Sequence, residues 1–143
     1  MDSLVNGLKV FLASNFVLYS KTHSAHWNVT GVNFFELHKM FEAQYNELWE
    51  QVDVIAEKVR ELDEFVTISP LDQTKLSIIE PAQIVMGSTD YIESLLKDHN
   101  RMIMFLNKLF AIAEAENNQA VMNYIAERLD AHAKMRWFLK SSI

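Results

Sequence analysis

The stretch NFFELHKMFEAQYNELWEQVDVIAEKVREL, residues 33–62, carries the pattern that decides the fold. Its apolar residues recur at spacings of three or four, which places them on one face of an α-helix. They are Phe34, Leu37, Phe41, Tyr45, Leu48, Val52, Ile55, Val59 and Leu62. The spacing predicts one amphipathic helix over 33–62 with its apolar face in a core. Asn33 is the predicted N-cap, and Glu36 is its predicted capping-box partner.

A second stripe on the same helix carries side chains of the kind that bind metal ions. The four residues are His38, Glu42, Asp53 and Glu57. At about 100° per residue, their spacings of 4, 11 and 4 keep all four on one face. The first and last are roughly 28 Å apart along the axis, whereas one ion needs ligands within about 2–2.6 Å. The helix therefore predicts two incomplete sites: a histidine half-site, His38 with Glu42, and an acidic half-site, Asp53 with Glu57.

A second copy of the chain, antiparallel across a two-fold axis, would complete both half-sites. The histidine half-site of one copy would face the acidic half-site of the other, giving two equivalent sites roughly 22 Å apart. Trp49 lies on the same stripe, between the two half-sites. A large aromatic outside the core face indicates that a partner covers this face, so Trp49 is a candidate for the dimer interface.

Composition restricts the class of protein. The 143 residues predict one domain spanning 1–143, and half of them are hydrophobic. Three glycines and two prolines favour long helices, and the lack of cysteine excludes disulfides and thiolate sites. We expect no signal peptide and no membrane span, hence a cytoplasmic protein. The net charge of −6 opposes DNA binding and suits a protein that attracts cations.

The rest of the chain predicts an all-α four-helix bundle with a long crossover. A first helix is expected over about 3–28, a third from 88–90, and a fourth ending near Ser141, with a turn at 116–118 between the last two. The connection over 63–87 is long for a bundle loop, and 72–79 is expected to form a short extra helix within it.

The ligand stripe and the histidines near it also have interpretations that involve no metal. His38 and Glu42 could form a surface pair worth about 0.3–0.5 kcal/mol, and the acidic half-site could be a solvated face. His26 could fold back towards His38 across the turn at Gly31, or be a capping or core histidine. Oxygen and imidazole ligands suit Fe(II), Mn(II) or Zn(II). His99 and His132 lie on apolar faces and are predicted core or interface histidines.

Two segments resemble the Dps miniferritins. The first runs from His26-Trp27 through Gly31 and Leu37-His38 to Glu42, and the second is VDVIAE, residues 52–57. The resemblance implies a ferritin-like subunit, a hollow shell of twelve copies that stores ferric mineral, and a ferroxidase site between subunits. Its ligands would be His26, His38, Glu42, Asp53 and Glu57. It also implies Fe(II) oxidation, preferably by hydrogen peroxide, which limits hydroxyl radical formation and so protects DNA.

The resemblance also bears on residues around the site. Trp27 would intercept stray radicals or pack in the core, and His23 would support the ligands or be polar filler. Where relatives often carry pore-lining aspartates, this chain has Asn117-Asn118-Gln119, with Glu127 and Asp130 as candidate replacements. Glu42 replaces a common Asp, and Lys58 replaces a usual Arg.

Three alternatives stay open. The first is a shell without ferroxidase activity, and the second is a DNA-compacting protein. The third is an unrelated bundle with an accidental acidic stripe. Direct DNA binding is not expected, since the first basic residue is Lys9 and no lysine-rich tail is visible. Zn or Mn in place of Fe is also left open.

Overall fold

A computed structural model describes residues 3–81 and 85–143 as five α-helices. They are α1 (Leu4–Asn28), α2 (Phe34–Arg60), α3 (Pro70–Leu76), α4 (Ser88–Ala115) and α5 (Gln119–Lys140). The four long helices form the bundle, and α3 lies in the crossover between α2 and α4. Helix α1 packs against α2, α3 and α4, and α4 packs against α5. The predicted all-α bundle with a short crossover helix is confirmed. None of the helices within the described ranges is long and apolar enough to cross a membrane.

The core is built from the apolar faces that the helical spacing predicted. On α2, Leu37, Phe41, Leu48, Ile55 and Val59 are buried, and Tyr45 and Val52 are half-buried. The helix ends at Arg60 and not at residue 62, so Leu62 lies in the turn that follows, where it is also half-buried. Phe34 is a wrong core prediction, because its side chain is 43% exposed. It lies in the first turn of α2 and stacks on His38, where no other part of the described chain covers it.

The first turns of α2 and α3 differ from the sequence-based predictions. Asn33 is the N-cap of α2, but its side chain makes no capping hydrogen bond, so the capping box with Glu36 does not form. The Phe34 amide instead donates to the Gly31 carbonyl at 3.1 Å. The capping box belongs to α3, where Ser69 and Asp72 bond reciprocally. With this cap, α3 begins at Pro70 and ends at Leu76, whereas the sequence predicted a helix over 72–79.

Polar residues inside the bundle tie the helices together. Lys21 of α1 and Asp98 of α4 form an ion pair at 2.5 Å, with both side chains almost fully buried. Burial raises the pKa of Asp98, and its hydrogen bond with Lys21 opposes that shift. The buried Arg128 of α5 pairs with Glu47 of α2 through two contacts, one of them 3.0 Å long. Breaking a buried pair by removing one partner is costly, so both pairs fix the packing of the helices.

His99 of α4 and His132 of α5 are core residues, as predicted, and both are fully buried. Their Nδ1 atoms are 2.9 Å apart, so one ring must donate and the other must accept. Burial lowers the pKa of His99 to about 3, and burial with the neighbouring His99 lowers the pKa of His132 well below its usual value. The pair is therefore neutral in the folded protein at neutral pH.

The buried His99 and His132 predict a loss of stability in mild acid. Above about pH 6.5 both states keep these histidines neutral, but below it the unfolded chain binds protons that the folded chain cannot accept. Two such groups should lower the free energy of unfolding by about 4 kcal/mol between pH 7 and pH 5. Guanidinium unfolding at both pH values, at one protein concentration, measures this.

The H99Q/H132Q double variant is the control for that measurement. Glutamine does not titrate, and two glutamines can hydrogen-bond to each other. The difference between the two proteins isolates the pair from other titrating groups, including Asp98, whose raised pKa acts in the opposite sense. An equal loss of stability in both proteins would show that the pair is not the cause.

Candidate metal centre

His26 and His38 lie side by side where α1 and α2 meet. The turn at Gly31, which adopts a φ of +114°, brings the end of α1 against the start of α2. The two imidazole rings stack with centroids 3.7 Å apart and planes inclined by 16°. The expectation that His26 folds back towards His38 is therefore met in the structure. We call these two residues the histidine pair.

The histidine pair is held by two reciprocal hydrogen bonds. Nδ1 of His26 donates to the His38 carbonyl, and Nδ1 of His38 donates to the His26 carbonyl, each at 2.7 Å. A carbonyl oxygen can only accept, so both Nδ1 atoms carry a proton, and in a neutral ring the lone pair is then on Nε2. Neutral imidazole nitrogens of this kind are metal ligands, and a hydrogen bond at the other nitrogen is the usual way to orient them.

Glu42 lies one turn beyond His38 on α2 and is partly exposed. Its carboxylate is 3.4 Å from Nζ of Lys39, an exposed pair of the kind that contributes little to stability. Glu42 therefore remains available to a cation. Glu42 is near the same end of α2 as the two imidazoles, but the three side chains as placed do not form a group that could hold a metal ion.

The acidic half-site lies well along α2 from the histidine pair. Asp53 and Glu57 are both exposed side chains on α2. Within residues 3–81 and 85–143, no group of three or more His, Asp or Glu side chains is placed to hold a metal ion. The structure therefore places the candidate ligands at two separate positions along α2 and does not bring them together.

Three large aromatic side chains of α1 and α2 are exposed. Trp27 is 64% exposed, Trp49 is 52% exposed and Phe35 is 65% exposed. Exposed apolar side chains of this size are typical of surfaces that another molecule covers. The other predicted residues, Glu127 and Asp130, are exposed on α5, away from the ligand stripe.

His23 connects the histidine pair to several aromatic rings, of which the sequence analysis assigned a role beside the site only to Trp27. Its ring stacks on Tyr45 at 3.9 Å, lies 4.2 Å from Trp27, and its Nδ1 is 2.9 Å from the Tyr19 hydroxyl. Burial and the nearby His26 lower the pKa of His23. The signal was present in the sequence, because Tyr19, His23 and Trp27 are spaced four apart on one helix.

Comparisons with known proteins agree with this architecture. Residues 5–143 match the model of the ferritin-like domain. The chain is 30% identical to an uncharacterised low temperature-induced protein of Nostoc, over 99% of this chain and 80% of that protein. It is 28% identical to the DNA protection during starvation protein of Helicobacter pylori, over 95% of each. The crystal structure of Dps from Staphylococcus aureus superimposes with a TM-score of 0.94 at 27% identity, covering 97% of this chain and 93% of that one.

Proposed function

The chain belongs to the ferritin-like family as a Dps-type miniferritin, and from that membership we propose that it is a ferroxidase that detoxifies and stores iron. The family supports iron storage and DNA protection in general, and it implies iron as the bound metal. The finer proposal is that Fe(II) is oxidised, with hydrogen peroxide as the preferred oxidant, at sites between subunits. The ferric product is then kept as mineral inside a hollow homo-oligomer of twelve cytoplasmic subunits.

The histidine pair is the observation that carries this proposal. Nδ1 of each ring donates to a backbone carbonyl, which fixes the ring and leaves Nε2 as the nitrogen that would bind a cation. Glu42 adds an oxygen ligand beside it. Carboxylates are hard ligands that favour Fe(III) over Fe(II), and a site rich in them therefore assists oxidation. The donors by themselves suit Fe, Zn or Mn, and membership of the ferritin-like family is what favours iron.

Two copies are needed to complete each site. The acidic half-site, Asp53 with Glu57, is offset by 15 residues from the histidine half-site, which is roughly 22 Å along α2. An antiparallel partner reverses that offset, so each histidine half-site would meet an acidic half-site. The exposed Trp49 lies between the half-sites, where such a partner would cover it.

Protection of DNA would come from this chemistry and not from coating the DNA. Reducing peroxide with a pair of Fe(II) ions consumes both reagents that would otherwise form hydroxyl radical. Twelve chains of charge −6 would carry about −72, which repels a polyanion. Glu127 and Asp130 are our candidates for the acidic groups that draw Fe(II) inward, in a region where Asn117 and Asn118 provide no charge.

Stopped-flow oxidation tests the proposal directly. Anaerobic Fe(II) is mixed with hydrogen peroxide, with and without the assembled protein, and a trapping probe for hydroxyl radical is present in both. We expect faster oxidation and less trapped radical with the protein than with buffer alone. Oxidation no faster than the buffer control would refute the ferroxidase and favour a shell with a structural role. Retardation of DNA that disappears as salt rises would support compaction.

A further inference from the structure

Phe34 is a large apolar side chain that lies outside the core. It belongs to the first turn of α2 and is exposed, although the helical spacing predicted that it would be buried. Its ring stacks on the imidazole of His38, with the two centroids 5.0 Å apart and the planes inclined by 26°. An exposed ring gains little from removing apolar surface from water. The contact with a candidate metal ligand is therefore the main feature of its position.

The imidazole of His38 lies against two nearly parallel rings. The His26 ring stacks on it at 3.7 Å, with its plane inclined by 16°, and Phe34 provides the second stacked ring. Nδ1 of His38 also donates to the His26 carbonyl at 2.7 Å. The orientation of this candidate ligand is therefore fixed by one hydrogen bond and two ring contacts.

The turn before α2 determines where the Phe34 ring lies. The Phe34 amide donates to the Gly31 carbonyl at 3.1 Å. Gly31 itself has a φ of +114°, in the region that favours glycine. Because Phe34 and His38 are four residues apart, both side chains lie on the same face of the helix. The contact between the two rings is therefore set by the backbone of α2 and its preceding turn.

The face of a phenylalanine ring attracts positive charge. Its π electrons make the face partly negative, and a cation within about 6 Å of the ring centroid is stabilised by it. A neutral imidazole gains little from this attraction. An imidazole whose Nε2 binds a metal ion takes on part of the charge of the ion. The stacked Phe34 ring therefore stabilises the metal-bound form of His38 more than the free form.

We propose that Phe34 raises the affinity of His38 for Fe(II) by stabilising the charge that the ion places on the imidazole. This inference rests on the proposed function, which makes His38 a ligand of the iron. Phe34 is then a positioning residue and not a ligand, because its ring has no atom with a lone pair to donate. Its contribution depends on the aromatic face, so an aliphatic side chain of similar size would not provide it.

Phe35 provides a matched comparison within the same turn of α2. It is the next residue in the chain and is also exposed. Its ring lies 6.0 Å from Nζ of Lys39, and in the part of the chain that the structure describes it has no ring contact with either histidine of the pair. Both positions thus carry an exposed phenylalanine, but only Phe34 touches a candidate ligand. A change at Phe35 therefore measures what the loss of an exposed phenylalanine costs by itself.

Binding of Co(II) to the assembled protein tests the role of Phe34 without any oxidation. Co(II) has the charge of Fe(II), accepts the same ligands and is followed by its visible absorption. Phe34→Leu keeps an apolar side chain and removes the aromatic face, so it should weaken binding by about two- to fivefold. Phe34→Tyr keeps the aromatic face, and it should bind as wild type does, as should Phe35→Leu. Wild-type affinity in Phe34→Leu, or an equal loss in Phe35→Leu, overturns the proposal.

Fluorinated phenylalanines in place of Phe34 separate the charge of the ring from its shape. Each added fluorine withdraws electrons from the ring and weakens its attraction for a cation, while the size of the ring changes little. Rings with one, two and three fluorine atoms should therefore bind Co(II) with steadily falling affinity, and the same series in place of Phe35 should have no effect. Equal affinities across the series at position 34 would overturn the proposal, because a ring that only packs against His38 would tolerate all of them.

The same titration distinguishes a failure of this inference from a failure of the proposed function. His38→Asn removes Nε2, so it identifies the part of the Co(II) absorption that belongs to this site. If His38→Asn bound Co(II) as tightly as wild type, both the metal centre and the role of Phe34 would be refuted. Loss of binding in His38→Asn together with wild-type binding in Phe34→Leu would refute the role of Phe34 alone.

Discussion

Replacing Asp53 by alanine should lower the rate of fast Fe(II) oxidation by at least about 100-fold while the oligomer assembles normally. Losing a group that only supports a metal ligand typically costs about 10–100-fold, so losing a ligand should cost at least as much. Asp53 is exposed on α2 and has no part in the core. Stability should therefore change by no more than about 0.5 kcal/mol. Stopped-flow absorbance measures the rate, and light scattering measures the assembly.

Two further variants make this result specific. Glu50→Ala removes an exposed carboxylate from the same helix, three residues before Asp53, and should retain the wild-type rate. Asp53→Asn keeps the shape of the side chain and loses the charge, so it should resemble Asp53→Ala. If Asp53→Ala oxidised iron as fast as wild type, the acidic half-site would be wrongly assigned.

Two inactive variants should recover activity when they are assembled together, which is the strongest test of a site shared between subunits. His38→Asn damages the histidine half-site and Asp53→Ala damages the acidic half-site. In a mixed dimer, one site combines both damaged halves and the other combines both intact halves. Random mixing in equal amounts makes half of the dimers mixed, so about a quarter of the wild-type activity should return. The activity is measured after the two proteins are unfolded and refolded together.

The choice of asparagine at position 38 protects the fold. Its amide nitrogen can donate to the His26 carbonyl in place of Nδ1, and only the Nε2 ligand is lost. The control is a mixture of Asp53→Ala with Glu57→Ala, in which every site has a damaged acidic half-site, and it should recover nothing. Recovery in this control, or none in the first mixture, would contradict an antiparallel arrangement of two copies.

Helical periodicity predicted most of the fold because a helix with one buried face carries apolar residues at regular spacings, and these can be read from the sequence alone. The spacing of Leu37, Phe41, Leu48, Ile55 and Val59 located α2 and its buried face. The capping box was misplaced because Asn33 and Glu36 have the right residue types, but the backbone of Asn33 (φ −101°, ψ 22°) is not in the extended conformation that an N-cap normally adopts, whereas that of Ser69 (φ −74°, ψ 163°) is. Ser69 and Asp72 have equally good types and do form the box. Residue types alone do not distinguish these two cases.

The candidate site was predictable as far as its ligands lie on one helix. Periodicity placed His38, Glu42, Asp53 and Glu57 on one stripe. The 15-residue offset indicated that the two half-sites of one chain cannot bind the same ion. The hydrogen bonds of the histidine pair were not predictable, because their acceptors are backbone carbonyls and every residue has one. Phe34 was misassigned for a related reason: periodicity shows which face a residue occupies, but not whether another element covers that end of the helix.

The reciprocal bonds of the histidine pair also limit how this protein can change during evolution. Surface loops usually tolerate insertions, since lengthening a loop adds little to its closure entropy. The turn between α1 and α2 is different, because each ring of the histidine pair is held by a carbonyl on the other side of the turn. One added residue would shift both carbonyls against both rings and disturb two candidate ligands at once. We therefore expect this turn to keep its length in functional relatives, even where the crossover around α3 varies freely.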